Sequence, residues 1–350
     1  MGDDGGASVV ENPKAIEAFW RWWEKEHDGL EASLGSQSMD ALAPYIEAIS
    51  QRVHAIHPDL QWELGRPEMV ASDQPQTGRY VMCVTGAGNL TLRVLAERWR
   101  VAAPPQEGWS FFAARQPYHR QDSGQLRLGG HHLDREELQV TLDLDRSREQ
   151  LNIQIGHPQF AQMSEAARTR AAFLLLDTWF GEDDAIRWIG SVTIAEGELD
   201  DDPLPWQALE AAIAQLKADA TGSRWALMRG KDAQGGLMLA FINLALKPLD
   251  HLLMDLLVEV HLDFDVEEDW LPKAVSEDLE AMEEELRTEL GHQAVYIGRL
   301  TRTGRRTLLF HLSGLDNTLE QLEAWATRPH PLHITLEARH DPTWEGLRRW

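Results

Sequence analysis

The stretch of sequence that decides the fold of the C-terminal part spans residues 256–264 and reads LLVEVHLDF. Apolar side chains occupy every second position, and Glu259, His261 and Asp263 lie between them. Strict alternation of this kind predicts a β-strand that is half buried. The strand therefore buries one face and presents Glu259, His261 and Asp263 on the other.

Five further elements are predicted after this strand. Apolar residues at three- and four-residue spacing predict helices over residues 275–290 and 315–325. Between these helices two strands meet at Thr301-Arg302-Thr303-Gly304, and a last strand covers residues 332–338. The order β-α-β-β-α-β predicts a ferredoxin-like sheet with both helices on one face. An extra β-hairpin formed by residues 224–229 and 237–246 precedes it, which gives a C-terminal domain of residues 222–350.

The N-terminal part predicts a second α+β domain over residues 13–221, after a flexible N-terminus of residues 1–12. It begins with two helices, the first of which contains Trp20, Trp22 and Trp23. Because three rings so close together cannot all face one core, we expect at least one to pack against another domain or subunit. Two ββαβ units follow, over residues 60–116 and 138–194, and predict a sheet with its helices on one side. The segment between them, Tyr118–Gly130, is predicted to be a mobile loop.

Composition restricts the class of protein. The 350 residues carry a formal net charge of −24, which argues against binding to nucleic acid or to anionic membranes and is compatible with basic protein partners. The single cysteine, Cys83, lies in an apolar run, so we predict a buried and inert thiol. The sequence has no run of about 18 apolar residues and no signal-peptide pattern, which predicts a cytoplasmic protein.

A resemblance to a known family rests on residues of the C-terminal domain. They are Trp225, the Tyr-x-Gly-x-x-Thr segment of Tyr296, Gly298 and Thr301, the turn residue Gly304, and the ending Asp341-Pro342-x-Trp344. Over about residues 222–347 this pattern resembles the bacterial domain-of-unknown-function family 695. The N-terminal domain resembles segments of the same kind of bacterial protein. The resemblance implies no established activity and no cofactor.

The candidate site is the face of the C-terminal sheet that is predicted to carry no helix. Its candidate residues are Glu259, His261, His311, His333 and Glu337, and Arg299 is expected on the same face. Histidines on three adjacent strands, with carboxylates beside them, could bind zinc or perform acid–base chemistry. Alternation produces the same pattern on any solvated sheet face, so a solvated or interdomain face and a recognition surface remain alternatives.

Sequence signatures of catalysis are missing: the chain has no P-loop, no complete dinucleotide fingerprint and no Gly-x-Ser-x-Gly elbow. We therefore predict a non-enzymatic module for protein–protein recognition or regulation, without a cofactor. The alternative is a metal-assisted hydrolase that uses the histidine and glutamate face. A third possibility is a structural homo-oligomer held together by the tryptophan helix.

Overall fold

The computed structural model describes residues 13–36, 38–66, 78–117, 125–200, 202–231, 235–265, 271 and 273–350. They fall into two compact units: the first contains the described residues up to Leu142 and Ile153–Glu210, and the second contains Asp143–Asn152 and Ala211–Trp350. Both mix helices with sheets, as predicted. The predicted flexible N-terminus lies outside the described residues, and the predicted boundary at residue 221 stays a prediction.

Up to residue 219 the described chain forms six α-helices and nine strands. They are α1 (Pro13–Ser36), α2 (Met39–Ile56), β1 (Gln61–Gly65), β2 (Tyr80–Thr85), α3 (Leu90–Val101), β3 (Trp109–Phe112), β4 (Gln125–Leu128), β5 (His131–Asp134), β6 (Gln139–Asp145), β7 (Gln150–Gly156), α4 (Glu165–Phe180), α5 (Glu182–Trp188), β8 (Ile189–Ile194), β9 (Leu204–Pro205) and α6 (Trp206–Asp219). The strands form sheets of order β1-β2-β3, β4-β5 and β8-β7-β6-β9.

Two expectations for this part of the chain are wrong. The two ββαβ units do not share one sheet, because β1, β2 and β3 pair only with one another in the described residues and bury their own face against α1, α2 and α3. The segment predicted to be a loop contains β4, which pairs with β5 directly after that segment through a turn at Gly129 and Gly130 with positive φ angles. Residues 118–124 of that segment lie outside the described residues.

The tryptophans of α1 all contribute to the core of the first unit. Trp20 and Trp23 are buried, and Trp20 stacks on Trp99 with ring centroids 4.9 Å apart. Trp22 is partly buried against the same core, and the guanidinium of Arg52 covers its ring at 4.5 Å. The three tryptophans of this helix therefore give no support to the expectation that one of them packs against another domain or subunit.

The second unit contains one antiparallel sheet of six strands, in the order β10-β11-β13-β14-β12-β15. Its elements are β10 (Trp225–Lys231), β11 (Leu237–Asn243), β12 (Leu256–Asp263), α7 (Lys273–Leu290), β13 (Ala294–Arg302), β14 (Arg305–Leu312), α8 (Thr318–Ala326), β15 (His333–His340) and α9 (Glu345–Arg348). Strands β14 and β15 flank β12, as the sequence predicts.

The two faces of this sheet bury different cores. On one face, α7 and α8 pack against β12 and β14 through residues such as Leu286, Trp325 and Val260. On the other face, Trp344 and Leu347 from the C-terminal segment pack with residues of β11, β12, β13 and β14. No helix in the described part of the chain combines the length and apolarity needed to cross a membrane.

Candidate functional site

The predicted histidine face places its three histidines at different levels of the sheet. His333 lies opposite Asp263, His261 lies opposite Thr307, and His311 lies opposite Leu257. A strand rises about 3.3 Å per residue, so the levels of His261 and His311 are about 13 Å apart. Zinc binds imidazole nitrogen at about 2.0 Å, so one ion cannot contact both rings. Within the described ranges, no group of three or more His, Cys, Asp and Glu residues could hold a metal ion.

The remaining candidates on this face form pairs. The Nδ1 atom of His261 lies 2.9 Å from the hydroxyl oxygen of Thr307, and its Nε2 atom lies 3.4 Å from a carboxylate oxygen of Glu337. Glu259 lies opposite Glu337 in the strand register, and a carboxylate oxygen of Glu259 is 3.7 Å from Arg349. The structure therefore brings His261 and Glu337 together, while His311 and His333 lie elsewhere on the face.

Asp341 and Trp344 surround His311 in a buried cluster. Both are among the residues that carry the resemblance to the known family, called family residues below. The Trp344 ring stacks on His311 with centroids 4.0 Å apart, and Nε2 of His311 lies 3.4 Å from Asp341. The Asp341 carboxylate accepts hydrogen bonds from the amides of Glu345 at 2.7 Å and Gly346 at 2.9 Å. Burial by itself raises the pKa of Asp341, but these three contacts lower it overall. Asp341 and Trp344 thus hold α9 against the sheet.

Arg299 was expected on the histidine face, and this expectation is wrong. A β-bulge between Tyr296 and Gly298 inserts one extra residue into β13 and reverses the alternation beyond it. Gly298 has a φ of 150°, and a Cβ at this position would lie 2.2 Å from the carbonyl oxygen of Phe241, so only glycine fits here. Arg299 consequently lies on the α7 side of the sheet, with its Nη1 atom 2.7 Å from Glu283.

A cavity of about 250 Å³ opens on this side of the sheet. Its apolar lining comes from the hairpin of β10 and β11 and from Leu271, and its polar lining comes from β13 and β14. The lining residues are Leu227, Leu239, Phe241, Leu271, Arg299, Thr301 and Arg306. The cavity thus combines apolar walls with two guanidinium groups.

Two arginines at the cavity lie close to the same carboxylate. Arg306 is 3% exposed and Glu283 is 6% exposed, and the Glu283 carboxylate also faces Arg299. Nε of Arg306 donates to the hydroxyl oxygen of Thr301 at 3.1 Å. Its Nη1 atom lies 3.8 Å from Glu283 and has no hydrogen-bond partner among the described residues. The buried Arg306 and the partly exposed Arg299 therefore share one carboxylate.

Tyr296 completes the polar group around Glu283. Its hydroxyl donates to a carboxylate oxygen of Glu283 at 2.8 Å. Burial and the neighbouring charge of Glu283 raise the pKa of Tyr296, so its hydroxyl keeps its proton at neutral pH. The carboxylate of Glu283 consequently receives hydrogen bonds from both Tyr296 and Arg299, which leaves Arg306 the less satisfied of the two cations.

Four family residues lie at or beside this cavity. Thr301 lines it, and Gly298 forms the bulge that directs Arg299 toward it. Trp225 stacks on the lining residue Phe241 with ring centroids 4.9 Å apart, and lies 5.8 Å from the ring of Tyr296. Gly304 lies in the turn between β13 and β14, with a φ of 75°, while Asp341, Pro342 and Trp344 lie in the C-terminal segment.

Sequence reasoning missed Glu283 and Arg306 as members of a site. Neither residue is among the candidate residues that the sequence predicts. The overlooked signal is the spacing of α7, because Glu283 lies four residues after Leu279 and three before Leu286, both of which are buried. A carboxylate in that stripe faces the core and requires a cationic partner.

A second buried cluster of charges lies in the first unit around Arg115. Glu182 is 2% exposed and accepts hydrogen bonds from the backbone amide of Arg115 at 3.0 Å and from the hydroxyl of Thr85. Burial and, next, the charge of Glu182 raise the pKa of Asp177 to about 7. Burial also raises the pKa of the Cys83 thiol, which is buried as the sequence predicts.

Comparisons with known proteins support the resemblance to one family. Residues 225–348 match the model of DUF695, which is described as a family of unknown function. Searches of curated proteins and of solved structures found no match. The match covers the Trp225, Tyr296 and Asp341 motifs and confirms the predicted resemblance. Residues 225–348 are therefore a segment similar to DUF695, whose description assigns no activity.

Proposed function

We propose that this protein is a non-enzymatic recognition module that binds an extended, acidic segment of a partner protein along β10. The observation that carries the proposal is the exposure of apolar residues on this strand. Leu227 is 70% exposed and Trp225 is 37% exposed, although both lie on the side of the sheet that α7 and α8 cover farther along. Leu227 also lines the cavity beside them.

The charge of this surface supports an acidic partner. Arg229 lies opposite Leu239, and Lys231 lies opposite Leu237, so both cations share the face of Leu227. Both cations are exposed. This surface is locally basic although the chain carries a formal net charge of −24. Complementary charge selects a partner and accelerates its association, so acidic segments are favoured over basic ones.

The position of β10 supports an extended partner. In the sheet formed by the described residues, β10 is an edge strand. The backbone groups along an edge can pair with an added strand, and side chains at alternate positions of that strand then face the same side as Leu227. The proposed segment therefore adds to β10 and places every second side chain beside Trp225 and Leu227.

A designed peptide tests this proposal on the full chain. The probe is an eight-residue peptide of alternating glutamate and valine, and its control replaces each glutamate by lysine. We expect the protein to bind the acidic peptide and Leu227→Asp to weaken that binding at least tenfold, because the new carboxylate repels the peptide. Fluorescence anisotropy of labelled peptide measures both.

Leu315→Asp is the matched control, since Leu315 belongs to the same unit and is 65% exposed. This variant should bind the acidic peptide as tightly as the unmodified protein. Equal binding of the lysine peptide, or unchanged binding by Leu227→Asp, would show that β10 is not the recognition surface.

We also propose that the second unit has a ferredoxin-like topology. The order β15-β12-β14-β13 supports it, because β14 lies between β12 and β13, the two strands that α7 connects, and β12 lies between β14 and β15, the two strands that α8 connects. The alternative function, metal-assisted hydrolysis, gains no support from the distances on the histidine face.

A further inference from the structure

We propose that the cavity lined by Arg299, Thr301 and Arg306 receives a carboxylate of the bound partner. This inference rests on the proposed recognition surface, because the cavity opens beside Leu227, and it names the chemical group that the surface recognises. The group is a carboxylate next to an apolar side chain.

The first argument is charge. Arg299 and Arg306 both lie within 4 Å of the Glu283 carboxylate, whereas Glu280, whose charge also acts on both, makes no ion pair with either. A buried charge without a partner is strongly unfavourable. Burial lowers the pKa of Arg306, yet an arginine side chain keeps its proton in proteins. Among the described residues, Arg306 has no carboxylate within hydrogen-bond distance, and an anion in the cavity supplies one.

The second argument is hydrogen bonding. The Nη1 atom of Arg306 belongs to a residue that lines the cavity, and it has no hydrogen-bond partner among the described residues. Thr301 already accepts a hydrogen bond from Nε of Arg306, so its hydroxyl proton can be donated to a ligand. A carboxylate has two oxygens and accepts both bonds, and a guanidinium matches its planar shape.

The third argument is the nature of the walls. Leu227, Leu239, Phe241 and Leu271 surround the two guanidinium groups. A fully hydrated anion gains nothing from such walls, whereas an organic acid with a short apolar chain buries that chain against them. A volume of about 250 Å³ lies just below the usual range of ligand pockets, roughly 300–1,000 Å³, and restricts the ligand to a small group.

A free small acid tests the cavity without the partner. The probe is 4-methylpentanoate, and 4-methylpentanamide is a neutral control of nearly the same shape. On the full chain, we expect the acid to bind at least tenfold more tightly than the amide and to shift the methyl NMR signals of Leu239 and Leu271. Equal binding of both compounds, or no shift with the acid, overturns the proposal.

Two variants locate the bound acid. Leu239→Trp fills the cavity without changing a charge and should abolish binding of the acid, whereas Leu315→Trp, at an exposed turn, should leave it unchanged. Arg306→Lys keeps the charge but removes the planar fork and should weaken binding about tenfold. If Arg306→Lys fails to fold, the result with Leu239→Trp decides alone. Unchanged binding by Leu239→Trp overturns the proposal.

The acid and the peptide separate this inference from the recognition function. A protein that binds the alternating glutamate peptide but not 4-methylpentanoate has the recognition surface without the carboxylate site. A protein that binds the acid in the cavity but not the peptide has the carboxylate site, and the proposal that β10 recognises an extended segment then fails.

Discussion

The two units of this protein contain clusters of close ion pairs that combine the two signs of charge in opposite proportions. In the second unit, Arg299 and Arg306 share the carboxylate of Glu283. In the first unit, Arg115 contacts both Glu182 and Glu63, and the charges of both glutamates act on Asp177. In one cluster two cations share one carboxylate, and in the other one cation contacts two carboxylates.

The difference teaches how each kind of excess can be relieved. A carboxyl group can take up a proton, and the pKa of Asp177 is raised to about 7, so this group holds its proton in mildly acidic solution. A guanidinium has no comparable escape, because its pKa stays far above neutral pH. The first cluster therefore responds to pH, whereas the second can respond only to an anion.

The largest expected effect is that of Glu283→Gln. This change removes the single carboxylate between Arg299 and Arg306, and breaking a buried ion pair in this way costs about 3–5 kcal/mol. We expect the free energy of unfolding of the second unit to fall by that amount. Denaturant unfolding measures the loss, and amide exchange in α7 and β13 assigns it to the second unit.

Glu284→Gln is the matched control on the same helix. The Glu284 side chain is 74% exposed and lies 3.6 Å from Arg287, so its removal should change stability by less than about 0.5 kcal/mol. Equal losses for both variants would mean that the buried charges of the second unit are not coupled through Glu283.

The next effect is the pH dependence of the first unit. An aspartate in an unfolded chain has a pKa of about 3.9, whereas Asp177 in the folded protein has a pKa of about 7. The folded state binds more protons between these values, so stability falls as the pH rises from about 4 through 7. The total loss is at most about 4 kcal/mol. Denaturant unfolding at several pH values, with amide exchange in α4, measures it.

Asp177→Asn should abolish this fall, because the amide has no proton to lose, and the variant should be the more stable protein at pH 8. Glu24→Gln, at an exposed position of α1, should retain the pH dependence of the unmodified protein. If Asp177→Asn retained the same fall, another group would have to titrate in the first unit.

The smallest effect concerns Arg115. Its positive charge lowers the pKa of Asp177, in opposition to burial and to the two glutamates. Arg115→Gln should therefore raise the pKa of Asp177 by about one pH unit, which carbon-13 NMR of the carboxyl group can follow. A lower pKa in this variant would contradict the assignment of Arg115 as the cation that restrains Asp177.

The elements of the second unit could be predicted because their signals are local. The alternation of residues 256–264 predicts β12, and its pairing with β14 and β15 follows from the order of elements. The burial of Trp344 was also predictable, since a large aromatic after Asp341-Pro342 folds back on the sheet, and it is 1% exposed.

The cavity could not be predicted from local signals. Arg299 changes face because of a bulge, and nothing in the alternation of β13 marks the residue at which the pairing shifts. The burial of Arg306 depends on the contact of its strand with α7, which involves residues far apart in the sequence. For the histidine face, alternation predicted that the histidines share one side of the sheet. It could not predict how far apart they lie along the strands, because that depends on the strand register.

Because of the bulge in β13, the face on which the charge of Arg299 lies depends on the number of residues in the strand. A strand is a pattern of period two, and one extra residue changes its phase for every position that follows. Deleting Ile297 would remove the extra residue and keep the pairings of Tyr296 with Phe310 and of Arg299 with Leu308, so Arg299 would stay on the α7 side. If the strand paired regularly with Ile297 retained, Arg299 would move to the opposite face, although no charge is added or removed. The single extra residue of this strand thus decides which face of the sheet receives the cation.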